Sequence, residues 1–252
     1  MKEKISILIP SSPIAAHPSI ALIEKAISSV RQHLPDAPIF IMLDGVRKEQ
    51  AGYTERYVDY ITALVGHVMF KERNVKLVPF MDFTHQAGMV RRTLEQVKTP
   101  QILLLEHDCF FLDGISIDFA GISRVIESEE ANMVMFHSQA EPWIAPAHEH
   151  LMIDKERVYF EDVPMIRTWQ FSARPHVAST EFYRRILRGY FSKNCRTFIE
   201  DRMHPIILGS RHFAGEEAWE EWKLMYYAPV GDIRRTDTSD GRGSDPKYRM
   251  VP

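Results

Sequence analysis

Cysteine is nearly absent. Cys109 and Cys195 are the only two in 252 residues, and they lie far apart. That excludes a disulfide framework and a cysteine zinc cluster, and it suits a reducing compartment. Long apolar runs are also missing. None approaches the ~20 residues of a membrane span, so no integral membrane segment is expected. The opening Met1-Lys2-Glu3-Lys4 leads into a five-residue strand and then Pro10, too short and too soon interrupted for a signal peptide. A cytoplasmic location is the expectation. Basic charge is not in excess either. The net charge of -3 argues against a general nucleic-acid binder. No internal repeat and no low-complexity tract appears.

What is present is a strand-helix alternation. With 45% hydrophobic content, 252 residues can form one large α/β domain, with or without an appendage. Residues 5–9 read as a buried strand, ended by Pro10-Ser11-Ser12-Pro13. Ile20, Ile23, Ile27, Val30 and Leu34 recur at helical spacing, so 19–34 is an amphipathic helix. A second strand, 39–43, ends in Asp44-Gly45. That Asp either accepts hydrogen bonds from a base or ribose, or simply starts the turn. A helix over 53–65, a strand over 75–78 and a helix over 88–97 follow. The last carries Arg91 and Arg92, which either reach a diphosphate or sit solvated on the surface.

The stretch 101–113 organises the rest. Ile102 to Leu105 is an unbroken apolar run, as in a strand buried on both faces. It stops at Glu106-His107-Asp108. Polar groups at the carboxyl end of a buried strand stand where open α/β sheets bind ligands. On an extended chain the Glu106 and Asp108 carboxylates face the same way. Two oxygen ligands on one side suit Mg2+ or Mn2+, which would also hold a diphosphate. The simpler alternative is a strand that ends in solvated acids.

A helix over 117–130 and a strand over 133–136 complete a pattern of βαβ units and a mostly parallel sheet. The pattern then changes. Residues 138–164 are rich in Pro, His and Glu and read as a long loop or an irregular insertion, with His148 and His150 either metal ligands or surface histidines. Residues 169–173 are expected as an edge strand. Helices are expected over 181–191 and 198–208, the second with Glu200-Asp201 near its start. Acids there are also favoured by the helix dipole alone. Residues 216–222 are acidic and aromatic, and 223–227 read as a late strand. From Gly231 a tail holds Arg234, Arg235 and Arg242, either disordered or a basic flap over phosphates.

Taken together these features resemble the GT-A glycosyltransferases, within them the family-2-like inverting group. The resemblance covers most of residues 5–227. Four landmarks occur in the family's order. They are the Ile5-Ser6-Ile7-Leu8-Ile9-Pro10-Ser11 strand and turn; the strand ending in Asp44; Gly88-Met89-Val90-Arg91-Arg92 before Glu106-His107-Asp108; and Glu181-Phe182-Tyr183-Arg184-Arg185 before Phe198-Ile199-Glu200-Asp201. Three departures stand beside them. Glu106 replaces the first Asp of the metal motif, Arg92 stands where the family often has Asn, and a histidine after the last strand is replaced by Arg234-Arg235-Thr236-Asp237.

The resemblance implies a three-layer α/β sandwich with a mostly parallel central sheet and an irregular C-terminal acceptor half. It implies a nucleotide-sugar-binding half over 1–137, an acceptor and catalytic-base half over 138–230, and a basic tail over 231–252. The implied donor is a nucleotide-sugar, UDP-sugar first, and the acceptor a hydroxyl of a glycan or other molecule. Asp108 and Glu106 would hold Mn2+ or Mg2+. Pro10, Ser11, Asp44, Arg91 and Glu106 would hold the nucleotide and its diphosphate. Asp201 would be the general base of an inverting transfer, with Glu200 orienting the site and Glu217 the runner-up. Two alternatives remain: a catalytically dead relative that binds a sugar or partner, and a sugar-phosphate nucleotidyltransferase. The glycine-free turn at Pro10-Ser11-Ser12-Pro13 counts against the latter.

Overall fold

The computed structural model describes residues 4–138, 146–231 and 234–239, with the side chains of 146–148 excluded. The first half alternates as its periodicity predicts. β1 (Ile5–Ser11) is followed by α1 (Ala21–Arg31), β2 (Ile39–Leu43), α2 (Thr54–Lys71), β3 (Val75–Pro79), α3 (His85–Leu94) and β4 (Gln101–Leu104). β5 (Cys109–Phe111), α4 (Phe119–Glu127) and β6 (Met133–Met135) come next. The second half holds β7 (Val158–Phe160), β8 (Val163–Arg167), β9 (His176–Ser179), α5 (Thr180–Tyr190) and α6 (Ile199–Ala214). α7 (Trp219–Trp222), β10 (Leu224–Tyr227) and β11 (Thr236–Thr238) complete it.

Nine strands form one sheet in the order β3-β2-β1-β4-β9-β6-β10-β8-β7. Only β8 and β9 run against the others, so the sheet is mostly parallel. β1, β2 and β4 are buried along their whole length, which is why they read as continuous apolar runs. Asp118 caps α4 by accepting from the Gly121 N–H at 2.7 Å, and Ser179 caps α5 through the Phe182 N–H. Trp169, Trp222 and Tyr183 are fully buried and fill the core of the second half. Among the described residues, no helix is long and apolar enough to cross a membrane.

In the first half, β5 is unexpected, α2 runs on to Lys71 and α3 starts three residues early at His85; the larger differences fall in the second half. The described part of 138–164 is not plain loop: it holds a 3-10 turn, Pro146–Leu151, then β7 and the start of β8, which suits the irregular insertion better. Residues 169–173 form no strand. The strand is β9, and it lies between β4 and β6 in the middle of the sheet. β9 reads poorly because it starts on a histidine. His176 is buried there, its Nε2 2.5 Å from the Tyr183 hydroxyl. Part of the stretch expected as a tail is a strand. β11 pairs antiparallel with β5, Asp237 opposite Phe110, and Arg235 is buried. Arg242 and the side chain of His148 lie outside the described residues.

Candidate functional site

The parallel register brings three strand ends to one edge. Ser11 lies opposite Leu43, and Leu8 lies opposite Leu104. The chain leaving β4 therefore passes beside Pro10, and the His107 ring lies against it, Nδ1 3.2 Å from the Pro10 carbonyl. A cleft of about 240 Å3 opens at this edge. Pro10, Ser11, Asp44, Glu106 and Asp108 line it, as do Arg47 and His85.

Asp44 is buried and its carboxylate is occupied. It accepts the backbone N–H groups of Gly45, Thr84 and His85 at 2.9, 2.7 and 3.0 Å. Burial pushes its pKa up, and these three N–H groups pull it back. Asp44 thereby fastens the start of α3 to the end of β2. The loops approach so closely that a Cβ on Gly45 would meet the Asp82 carbonyl carbon at 2.3 Å, so only glycine fits. The Ser11 hydroxyl is likewise engaged, 3.0 Å from the Tyr60 hydroxyl.

Opposite stands an acidic wall. Ligand atoms of Glu106, Asp108 and Cys109 lie within 4.8 Å of one another. The Glu106 carboxyl is pushed up to about 7, first by burial, then by the charges of Asp108 and Glu200. Burial and the charges of Asp108 and Glu106 also push the Cys109 thiol up, so it stays protonated and makes a poor ligand. The donors that remain are carboxylate oxygens, which suit a hard divalent cation. Mutual repulsion among these acids is the strain that such a cation would relieve. The residues present therefore fit Mn2+ or Mg2+, with Asp108 and Glu106 as its holders.

The first turn of α6 reaches the same wall. The Glu200 Oε2 accepts the Ala173 N–H at 2.6 Å, and its charge is felt at Glu106. Asp201 is exposed, and its charge is felt at His85. His85 adopts a left-handed φ of 63°, uncommon for a side-chain-bearing residue. Its Nδ1 accepts the Gln86 N–H at 2.9 Å, and its ring meets Phe198 edge-on at 4.6 Å. Burial lowers its pKa, so the imidazole is neutral.

Four expected residues do not line the cleft. Glu200 and Asp201 stand beside it and act on Glu106 and His85 in its wall through their charge, while Arg91 and Glu217 lie away from it. Arg91 points the other way and donates to the Ser192 and Phe191 carbonyls at 2.9 and 2.6 Å, and also to that of Leu187. It clamps the end of α5 instead of facing a diphosphate. Glu217 is exposed in a 3-10 turn past Ala214, the far end of α6, which itself is about 20 Å along the helix from Asp201 at 1.5 Å per residue. Arg92 is exposed, with its guanidinium 5.8 Å from the Phe80 ring. His150 is exposed as well. The structure adds residues that pattern alone missed. Arg47 lines the cleft with its guanidinium 6.0 Å from the Phe83 ring. Gln86 contacts Glu106 from beneath, its Nε2 donating to Oε1 at 3.1 Å. The polar triplet Thr84-His85-Gln86 at a helix start was the available signal. The C-terminal segment also touches the site, because the Ser239 N–H donates to the Asp108 carbonyl at 2.8 Å.

No protein-family model matches the chain, and no curated protein is similar to it in sequence. Solved structures are similar in fold. Residues 1–349 of S. aureus TarS, in complex with UDP-GlcNAc, superpose with a TM-score of 0.55 at 9% identity, covering 96% of this chain and 61% of that one. GalNAc-T7 with UDP, GalNAc and Mn2+ gives 0.54 at 12% identity, covering 99% and 46%. The mannosyltransferase PcManGT from Pyrobaculum calidifontis, with GDP-Man and Mn2+, gives 0.52 at 10%, covering 92% and 56%. The chain has the GT-A glycosyltransferase fold. It spans between 46 and 61% of the length of these three proteins.

Proposed function

We propose that this chain transfers a sugar from a nucleotide-diphosphate donor to a hydroxyl of a glycan or other acceptor, with inversion. The observation that carries the reading is the carboxylate pair Glu106 and Asp108, just after β4, which lines one cleft with Ser11, Asp44 and Arg47, with the charge of Glu200 from α6 felt at Glu106. Solved proteins of this fold hold UDP-GlcNAc, UDP or GDP-Man, two of them with Mn2+, which supports a nucleotide-sugar donor here. A UDP-sugar is the first candidate. Residues 1–137 form the donor half and 138–230 the acceptor half.

The chemistry asks three things of these residues. The nucleotide must be held still. Pro10 and Ser11 form one wall of its seat, and Asp44 keeps the opposing loop in place. The leaving diphosphate gains charge, which Arg47 faces from the cleft wall. A divalent cation held by Asp108 and Glu106 would supply further neutralisation there. The acceptor oxygen attacks the anomeric carbon as the bond to the diphosphate oxygen breaks, and the hydroxyl proton passes to a carboxylate. Asp201 is that base. It is exposed in the first turn of α6, beside the neutral His85. Glu217 stands at the other end of the helix and takes no part.

Incubation with a panel of nucleotide-sugars, with and without Mn2+, tests the reading through nucleotide release. Release from at least one donor is expected. Asp201→Asn should bind that donor normally and lose roughly 10²–10⁴-fold in transfer, while Glu217→Gln stays near wild type. No release from any donor, with acceptors of several classes present, leaves the chain a binder. Loss of transfer in Glu217→Gln alone removes Asp201 as the base.

A further inference from the structure

The start of α3 carries a side chain that joins two parts of the site. Gln86 is 3% exposed, unusual for a glutamine. Its Nε2 donates to Glu106 Oε1 at 3.1 Å, and its Oε1 accepts the Ile199 N–H at 3.0 Å. One amide thus spans from the end of β4 to the first residue of α6, whose next two residues are Glu200 and Asp201. The partners fix its orientation. Flipped, it would set its oxygen against a carboxylate and its NH2 against an N–H. The backbone around it is held from both sides. Asp44 fixes Thr84 and His85, and the Ala87 N–H donates to the Thr197 carbonyl at 3.2 Å. Packing alone would be served by Leu or Met, without the cost of burying an amide.

We propose that Gln86 is a positioning residue. It turns the Glu106 carboxylate toward the cation position beside Asp108 and holds the first turn of α6 in a fixed place relative to it. The proposal rests on the reading of Glu106 and Asp108 as a divalent site. Partners that orient a ligating carboxylate typically cost ~10–100-fold in metal affinity when lost.

The test is a titration with Mn2+ alone, following free Mn2+ by electron paramagnetic resonance. Gln86→Met keeps the length and removes both hydrogen bonds. It should weaken Mn2+ binding by ~10-fold or more. A role in packing alone would change only the unfolding midpoint measured in chelator. Ile199→Pro is the second variant, and it leaves Gln86 and Glu106 in place. Ile199 is the first residue of α6, where proline is tolerated, and Phe198 before it has φ -68° and ψ 146°, which proline requires. Removing that N–H unlatches the amide at its far end, so a smaller loss of the same sign is expected. Equal Mn2+ affinity in wild type and both variants overturns the inference while the metal site stands. A wild-type protein that binds no Mn2+ removes the metal reading, and the inference falls with it.

Discussion

Glu106 stabilises the folded chain least where it would be most useful. Its folded pKa, about 7, is raised above the ordinary value of 4.5. The folded state therefore binds its proton more tightly than the unfolded state does. Its favourable contribution is complete below about pH 4.5 and is lost as pH rises through 7. In metal-free protein, Glu106→Gln should therefore match wild type near pH 4.5 and exceed it at pH 8, by on the order of 3 kcal/mol at 1.36 kcal/mol per pKa unit. Urea unfolding of both proteins at the two pH values checks this. A stability gap that does not change with pH would show that Glu106 is not crowded by Asp108 and Glu200. The place of Glu106 and Asp108 just past a buried strand was legible in the sequence, because an unbroken apolar run stops there. Gln86 was not, because nothing in its neighbours reveals that both ends of its amide are engaged.

α3 shows why spacing identifies an element better than the direction of each side chain. The sequence places a helix here and puts Arg91 on it, and both hold. Yet Gln86 and Arg91 are five residues apart, roughly 140° around a helix of 3.6 residues per turn. Gln86 faces the cleft, so Arg91 faces α5. Arg91→Ala should cost on the order of 1.5–3 kcal/mol, the usual worth of a charged hydrogen bond, and leave nucleoside diphosphate affinity unchanged. Denaturation and calorimetry on the one variant separate the two effects. Weakened diphosphate binding at full stability would return Arg91 to the donor site. The missed strands have a related cause. β5, β9 and β11 have three, four and three residues. Each is defined by its partner across the sheet and too short for a period to show. β8 carries Pro164 and lies in a stretch dominated by polar residues. The long apolar strands β1, β2 and β4 were legible because burial on both faces leaves no room for polar residues.

At the scale of the whole molecule, both halves meet at the end of β4. The first half brings β1, β2 and the start of α3 to that edge. The second brings α6, whose first turn carries Glu200 and Asp201. β11, far along the chain, returns to pair with β5 beside Asp108. The order of the first half could be read from sequence because it is built of successive parallel units. The closing contacts could not, because they join residues more than a hundred positions apart, as Gln86 and Ile199 are. The central claim is that this edge binds a nucleoside diphosphate through a divalent cation at Asp108. Calorimetry with UDP and GDP, with and without Mn2+, on wild type and Asp108→Asn tests it most directly. Mn2+-dependent affinity is expected in wild type, and its loss in a variant that remains folded. Equal Mn2+-dependent affinity in the two proteins, or none in wild type, would contradict it.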